Sequence, residues 1–176
     1  MHPNLRVEFK KEGTGSPLFY LIKMISEQLI EGLVKEKIAD TNLFLVDLSV
    51  RPGNKIMILI DAVNGLTVDD CVKVSRHVEF SLDREAEDFE LQVSSPGADA
   101  AFKVLDQYKK YEGRNVEVIL TDGKVITGKL LGSNEEQFEI EALISAKGAN
   151  KKLKKTELQI FKYNQVKQTK ATISFK

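Results

Sequence analysis

The chain has 176 residues, of which 42% are hydrophobic and 30% charged, which is ordinary for a protein that buries a core. No apolar run approaches the roughly 20 residues that a membrane helix needs, which argues against a membrane partner. The first residues, MHPNLRVEFKKEG, lack the apolar centre of a secretory signal, and the single cysteine, Cys71, excludes an intramolecular disulfide. These features predict a cytoplasmic location.

The formal net charge is zero, but the two halves of the chain carry opposite charges. Residues 1–97, the acidic half, contain 11 Lys and Arg against 16 Asp and Glu, a net charge of −5. Residues 98–176, the basic half, contain 15 against 10, a net charge of +5. Such asymmetry indicates a nucleic-acid surface on the basic half, although scattered surface lysines would give the same count.

The acidic half begins with a helical pattern. Apolar residues recur at helical spacing, which predicts a helix of about six turns that opens at Pro17. The residues of this stripe are Leu18, Leu21, Ile22, Ile25, Leu29 and Leu33. Two β-rich runs then flank the sequence RPGN at 51–54, which predicts a β-hairpin.

A second helix is predicted to start at Thr67, whose pairing with Asp70 resembles a capping box. Six of its residues share one face and are expected to point to the core. They are Val68, Cys71, Val72, Ser75, Val78 and Leu82. Cys71 is expected to be a small buried residue, and His77 to lie exposed on the opposite face. The run FELQV supplies a third strand, so the predicted order is αββαβ, with two helices on one face of a sheet.

The basic half changes to a period of two after a short helical piece. We expect about five strands, the last of which is ATISF at 171–175, separated by glycine-containing turns. Gly128 and Gly132 fall where a strand bends or bulges. Short, evenly spaced strands of this kind predict a small β-barrel. The sequence SSPG at 94–97 would then separate two domains, 1–97 and 98–176.

With both halves laid out, the chain resembles the bacterial ribosome maturation factor RimP family. The likeness covers nearly all of the chain after Pro17 and is most specific in the second helix and in the sequence that follows the third strand. The matching residues are Asp69, Asp70, Cys71, Ser75, Leu82, Asp83, and Val93, Ser94, Ser95, Pro96 and Gly97. The family usually continues with LDRPL, whereas this chain has ADAAF at 98–102, so Asp99 remains while the Arg and Pro are absent.

The resemblance implies an α+β fold, with an N-terminal αββαβ two-layer domain followed by a C-terminal small Sm-like (SH3-like) β-barrel. It further implies a non-enzymatic, monomeric assembly factor. Its partner would be the immature small ribosomal subunit, bound through a small-subunit ribosomal protein and rRNA at the decoding side. Residues 1–16 have no family counterpart that we can place, and they are a candidate disordered segment.

Motifs for catalysis and cofactor binding are absent from the sequence. No phosphate-binding glycine motif occurs, which argues against a nucleotide cofactor. The potential soft ligands are Cys71, His2 and His77, too few for a metal site, and Cys71 and His77 point in different directions from one helix. Ser94 and Ser95 lack a candidate base, so a turn role is favoured over catalysis. We therefore predict no enzyme activity, cofactor, metal or small-molecule substrate.

A run of lysines is the best candidate for contact with RNA. Five of them fall within nine residues of the sequence AKGANKKLKK, on a predicted loop between strands. They are Lys147, Lys151, Lys152, Lys154 and Lys155. Such a cluster can neutralise phosphates without reading base sequence. A solvated hairpin loop is the equally weighted alternative.

An alternative function is a standalone KH-like and Sm-like RNA-binding module. KH domains clamp the RNA backbone with a GXXG loop, and the chain contains no GXXG. The sequence Ser133-Asn134-Glu135 also stands where an Sm-like ligand loop would carry Asp-x-Asn. Aromatic platforms near the lysines are limited to Phe161 and Tyr163, and alternation places at least one of them in the core.

Overall fold

The computed structural model describes residues 25–144 and 155–172, which form a mixed α+β structure with two sheets. The mixed α+β class is therefore confirmed. The helices in these ranges are α1 (Glu27–Ile38), α2 (Val68–Ser81) and α3 (Leu105–Tyr111), with a 3₁₀ turn at Tyr163–Gln165. The strands are β1 (Leu43–Arg51), β2 (Lys55–Ala62), β3 (Glu90–Ser94), β4 (Asn115–Leu120), β5 (Val125–Ser133), β6 (Gln137–Ile144), β7 (Lys155–Lys162) and β8 (Val166–Ala171). None of these helices is long and apolar enough to cross a membrane.

Helix α1 begins ten residues later than the sequence pattern predicts. Ser26 has an extended backbone and its hydroxyl oxygen accepts a hydrogen bond from the backbone N–H of Leu29 at 3.2 Å. This is the geometry of an N-cap, so the helix begins at the next residue, Glu27. The prediction of a helix running from Pro17 through Ile25 is therefore wrong at its described end, and residues 1–24 lie outside the described residues.

The first sheet has the strand order β1-β2-β3, with β1 antiparallel and β3 parallel to β2. The predicted hairpin at 51–54 is confirmed. Gly53 and Asn54 both have positive φ, 81° and 51°, which a tight turn requires and which these two residue types tolerate best. The parallel pairing of β3 follows because α2 carries the chain back over the sheet.

Both longer helices cover one face of the first sheet, as predicted. Ile56, Ile58 and Ile60 alternate along β2 toward that face and share a core with buried residues of the helices. Those residues are Ile30, Val34 and Ile38 of α1 and Val74 and Val78 of α2.

The predicted core face of α2 is partly wrong. Val74, absent from the predicted stripe, is fully buried, whereas Val68 is 81% exposed and Val72 is also exposed. Both stripes have helical spacing and share Val78, so periodicity alone does not choose between them. Docking against α1 and β3 selects the stripe that contains Val74.

Two polar residues of α2 also differ from expectation. Cys71 is half-buried rather than buried, and this burial raises the pKa of its thiol. His77 is partly buried, and its Nε2 atom is enclosed with no hydrogen-bond partner in the described structure. It follows Val74 by three residues and thus lies on a neighbouring row of the helix, so the prediction of an exposed histidine is wrong.

The second sheet is antiparallel, with the order β7-β6-β5-β4-β8. Five strands are found in the described part of this half, and the last of them is VKQTKA, because Val166–Ala171 supplies the residues that pair with β4. The predicted strand ATISF lies mostly outside the described residues, which end at Thr172. Gly132 lies at a register shift between β5 and β6, which confirms the predicted bulge. Pairing between β7 and β8 is not found among residues 155–172, so a closed barrel is not confirmed and stays a prediction.

The second sheet forms its own core, separate from the first. Its centre is Phe138, fully buried, whose ring lies 5.0 Å from that of Tyr108 on α3 and 5.8 Å from that of Phe161 on β7. Helix α3 is held in place by the buried side chain of Gln107. Its amide oxygen accepts hydrogen bonds from the backbone N–H groups of Lys103 (2.6 Å) and Val104 (3.3 Å).

Candidate functional site

A group of charged and polar residues lies where the acidic and basic halves meet. The irregular segment at 95–97 borders a cleft of about 350 Å³, which we call the junction cleft. Its other walls come from the end of β2, the loop before α2, and α3. The residues that matter here are Asp61, Leu66, Ser95, Pro96, Gly97, Lys110 and Tyr111.

An ion pair between Asp61 and Lys110 spans the junction cleft. The Lys110 Nζ lies 2.6 and 2.7 Å from the two carboxylate oxygens, and the side chains are only 8% and 13% exposed for Asp61 and Lys110 respectively. The Asp61 carboxylate also accepts a hydrogen bond from the backbone N–H of Ala62 at 2.8 Å. These bonds offset the cost of removing two charges from water. The pair therefore ties β2 of the acidic half to α3 of the basic half.

A second ion pair joins the halves at the surface. Lys103 Nζ lies 2.5 Å from Asp47 Oδ2 on β1, and both side chains are about half exposed. Exposed pairs contribute little to stability because water screens them and their side chains lose entropy. Of the two pairs, the one at Asp61 matters more for holding the halves together.

The two stretches of sequence that carry the family resemblance, in α2 and after β3, are neighbours in space. Cys71 from α2 lines a second cleft, of about 290 Å³, together with Ser94 at the end of β3 and Ser95 directly after it. Thr67 and Val68 at the start of α2 complete this wall. The motif thus marks the point where the N-terminus of α2 meets the C-terminal end of β3.

The predicted capping box of α2 is confirmed. The Asp70 carboxylate accepts hydrogen bonds from the Thr67 hydroxyl at 2.6 Å and from its backbone N–H at 3.1 Å, while the Thr67 hydroxyl accepts from the Asp70 N–H. These bonds to Thr67 lower the pKa of Asp70 below 3.8. Asp70 is therefore engaged in fixing the start of the helix.

The remaining motif residues lie on α2 and on the segment that follows β3. Ser75 is half-buried on α2, Ser95 and Asp99 are exposed, and the Gly97 carbonyl accepts a hydrogen bond from Ala100 N–H at 2.9 Å in a turn around Asp99. No group of three or more His, Cys, Asp or Glu side chains is placed to hold a metal ion within 25–144 and 155–172. The segment 97–100 therefore forms a defined turn.

The predicted lysine cluster is largely untested. Lys147, Lys151, Lys152 and Lys154 lie outside the described residues, and Lys155 is described only as the first backbone position of β7. Of the two nearby aromatics, Phe161 is buried, as alternation predicts for one of them. Tyr163 packs against Tyr108 at 5.2 Å, and burial, helped by Tyr108, raises its pKa to about 12.

Sequence reasoning missed Asp61 and Lys110. A signal was present, because Asp61 interrupts the apolar end of the β2 run, KIMILIDA, and a lone carboxylate there needs a partner. The partner follows 49 residues later on a different element. Only the packing of α3 onto the end of β2 brings the two together.

Comparison with known proteins identifies relatives for most of the chain. Residues 29–99 match the model of the RimP N-terminal domain. The chain is 35% identical over 136 residues to the ribosome maturation factor RimP of Porphyromonas gingivalis, covering 77% of this chain and 90% of the relative. It is 36% identical over 119 residues to the protein of that name in Flavobacterium psychrophilum, covering 67% and 77%, and 35% identical over 120 residues to that of Christiangramia forsetii, covering 68% and 76%. The chain therefore belongs to the ribosome maturation factor RimP family.

Proposed function

We propose that this protein is a ribosome maturation factor that binds the immature small ribosomal subunit and assists its assembly without catalysing a reaction. The observation that carries the proposal is the likeness to the P. gingivalis factor, which extends over 90% of that relative's length. A match of that extent includes more than the N-terminal domain, because the N-terminal model covers only residues 29–99.

The chemistry of the described residues supports a binding role. Two carboxylates near the junction are engaged in structure, because Asp61 is paired to Lys110 and Asp70 is bonded to Thr67. Ser94 is the last residue of β3 and Ser95 lies in the irregular segment after it. Cys71 has a raised pKa, which is the opposite of what an activated nucleophile requires. The protein thus acts as a scaffold in this proposal.

The charge distribution supports a division of labour between partners. The basic half carries a net charge of +5, to which the lysine cluster at 147–155 contributes most. We assign rRNA phosphates to that cluster, since counterion release favours binding there. A small-subunit ribosomal protein is the second partner.

Gradient sedimentation of a lysate, with detection of this protein, tests the proposal. The protein is expected with immature small subunits and not with translating ribosomes. Recovery with free messenger RNA alone would instead support the standalone RNA-binding module.

The lysine cluster has a matched test. Replacement of Lys151, Lys152, Lys154 and Lys155 by Ala is expected to lower the slope of log K against log salt by about 3, at 0.7–0.9 per lost phosphate contact. The control removes the same number of charges from the acidic half, at Lys35, Lys37, Lys55 and Lys73. Equal slopes for both quadruple variants would remove the cluster from the RNA interface.

Three structural expectations complete the proposal, namely that the protein is a cytoplasmic monomer, that residues 1–97 and 98–176 are separate domains, and that the second sheet curls into an Sm-like barrel. Separate cores around Ile58 and Phe138 support the domain boundary, and the placement of β4 between β5 and β8 supports the barrel.

Light scattering of the purified chain tests whether the protein is a monomer. Limited proteolysis near Pro96 tests the boundary, and NMR contacts between β7 and β8 test closure.

A further inference from the structure

The first sheet has a second face, which points away from α1 and α2. Along β2, Leu59 and Asp61 alternate with the isoleucines that meet the helices, and they therefore lie on this second face. Their partners on β1, Asp47 and Phe44 respectively, share the face because directly paired residues of antiparallel strands point the same way. Phe44 is buried, although it is a member of neither core. The second face is therefore covered in part by something other than the two helices.

The second face carries the only carboxylate of β1, Asp47, and the only carboxylate of β2, Asp61. Each of them binds a lysine of the basic half. Asp47 lies 2.5 Å from Lys103, and Asp61 lies 2.6 Å from Lys110. Asp61 follows the partner of Asp47 by two residues along β2, so the two carboxylates are diagonal neighbours, with Cβ atoms expected about 7–8 Å apart. The basic half thus contacts the second face at two separate points.

The two lysines are held at a fixed spacing within the basic half. Lys110 lies on α3, and Lys103 lies two residues before that helix begins. The Gln107 side-chain oxygen accepts a hydrogen bond from the backbone N–H of Lys103 at 2.6 Å, which fixes the backbone of Lys103 relative to the helix. Ala101 forms a bridge to Lys170 of β8, so the same segment is attached to the second sheet. Both lysines therefore move with the basic half.

The connection between the halves restricts their relative orientation only in part. Residues 95–100 lie between the end of β3 and the first bridge to β8. They contain one proline, Pro96, and one turn hydrogen bond, from the Ala100 N–H to the Gly97 carbonyl, so several backbone dihedral angles remain to be set by other contacts. A single contact between the halves would leave the basic half free to turn about it, whereas two separate contacts define its orientation.

The two contacts differ in burial and hence in their response to salt. The side chains of Asp61 and Lys110 are almost buried, so dissolved ions screen their attraction little. Those of Asp47 and Lys103 are about half exposed. Their attraction weakens as salt rises, because the Debye length falls from about 10 Å at 0.1 M to about 3 Å at 1 M. The first contact is therefore suited to be permanent and the second to be released.

We propose that the basic half is docked on the second face of the first sheet by a pivot and a latch. The pivot is the buried pair of Asp61 and Lys110, and the latch is the exposed pair of Asp47 and Lys103. With the latch closed, the two halves are held at one angle. With the latch open, the basic half turns about the pivot without detaching.

The closed latch has a consequence for binding. It presents the surfaces of both halves to a partner in one orientation, so less conformational freedom is lost when the partner binds. The pivot and the latch go beyond the proposed function, because they belong to the chain by itself and do not depend on the nature of the partner.

Distances between two spin labels test the proposal in the full chain. The labels are attached at Glu36→Cys on α1 and Lys124→Cys between β4 and β5, both exposed positions, in a chain that also carries Cys71→Ser. Double electron–electron resonance at about 0.1 M salt is expected to give a narrow distance distribution, since the latch is then closed. Either Lys103→Ala or about 1 M salt is expected to broaden the distribution at least about twofold, because one contact no longer fixes the angle.

Release of the pivot is expected to have the larger effect. The double variant Asp61→Asn, Lys110→Met removes both buried charges and keeps side chains of similar size, so it is expected to fold. It is expected to broaden the distribution more than Lys103→Ala does. The control Lys73→Ala breaks an exposed pair with Asp69 inside the acidic half and is expected to leave the distribution unchanged.

An exchange of charges provides the rescue. The double variant Asp47→Lys, Lys103→Asp again places opposite charges at the latch and is expected to recover the narrow distribution. A parent chain with a broad distribution at low salt would overturn the proposal, and so would a distribution that neither Lys103→Ala nor high salt changes. These measurements do not involve the ribosome, so their failure leaves the sedimentation result unaffected. Conversely, a chain that does not associate with small subunits would reject the proposed function and retain the pivot and the latch.

Discussion

The two sheets solve the same problem in different ways. In the first sheet, Ile56, Ile58 and Ile60 are buried by two helices that lie across one face. In the second, the buried centre at Phe138 is enclosed mainly by the sheet itself, with one short helix, α3, on one side. Similar alternation in the sequence thus leads to different layers, because what covers the apolar face depends on whether long amphipathic helices are available.

The largest expected effect breaks the second core without touching the first. Phe138→Ala is expected to destabilise the protein by about 3–5 kcal/mol, because it empties the centre of an aromatic cluster. Urea unfolding followed by backbone NMR measures the change in each core separately. The control is Phe80→Ala, an 83% exposed phenylalanine on α2, with an expected change within about 0.5 kcal/mol. Equal loss of the signals of Ile58 and Leu130 would show that the two cores unfold as one.

The next effect concerns the link between the two regions. Lys110→Ala is expected to cost about 3–5 kcal/mol, because it leaves the Asp61 carboxylate buried without a cation. Chemical denaturation measures the loss, and the double variant Asp61→Asn, Lys110→Met is expected to recover part of it.

The exposed pair provides the control for this link. Lys103→Ala removes the surface contact with Asp47 and is expected to change stability by no more than about 1 kcal/mol. Similar losses for Lys103→Ala and Lys110→Ala would mean that burial of the Asp61 pair does not set its contribution.

A smaller effect tests how closely the strands of the second sheet approach. A Cβ at Gly128 would lie 2.4 Å from the backbone oxygen of Glu141, too close for any side chain, so Gly128→Ala is expected to cost about 1–3 kcal/mol. Thermal unfolding measures the difference. At Gly132 a Cβ meets nothing within 4 Å, and Gly132→Ala is the matched control, with an expected change below that of Gly128→Ala. A larger loss of stability for Gly132→Ala than for Gly128→Ala would contradict the close approach of β5 and β6 at Gly128.

The smallest effect lies at the start of α2. Thr67→Ala removes the capping hydroxyl and is expected to cost about 0.5–2 kcal/mol. It is also expected to raise the pKa of Asp70 toward 3.8, since bonds to Thr67 are what lower it. NMR titration of the side-chain carboxyl measures this pKa.

The sign of the pH dependence follows from the direction of that shift. A lowered carboxyl pKa stabilises the fold above the unfolded value, and this contribution is lost as the pH falls through the folded value. The Thr67→Ala variant is therefore expected to lose less stability than the parent chain as the pH falls below about 4, the ordinary pKa of an aspartate. If the pKa of Asp70 is unchanged in the variant, this account is contradicted.

Local signals in the sequence predicted local structure well. The RPGN turn, the capping box of Thr67 and Asp70, the bulge at Gly132 and the burial of at least one of Phe161 and Tyr163 are all confirmed. Each depends on residues close in the chain or on simple alternation. The start of α1 was missed for a related reason. The stripe of apolar residues also includes positions before Ser26. The prediction followed this periodicity and overlooked Ser26 as the N-cap at which the helix begins.

The sequence by itself determined the class of fold, the number of strands, the major turns and the family, since these depend on patterns within a few residues and on a motif read in order. Only the tertiary structure decided which face of α2 is buried, that Asp61 and Lys110 form a pair, and that β8 has a covered edge while β7 pairs on one side alone within the described residues. Each of these depends on elements far apart in the chain, whose relative placement follows from packing of whole faces and not from any local preference.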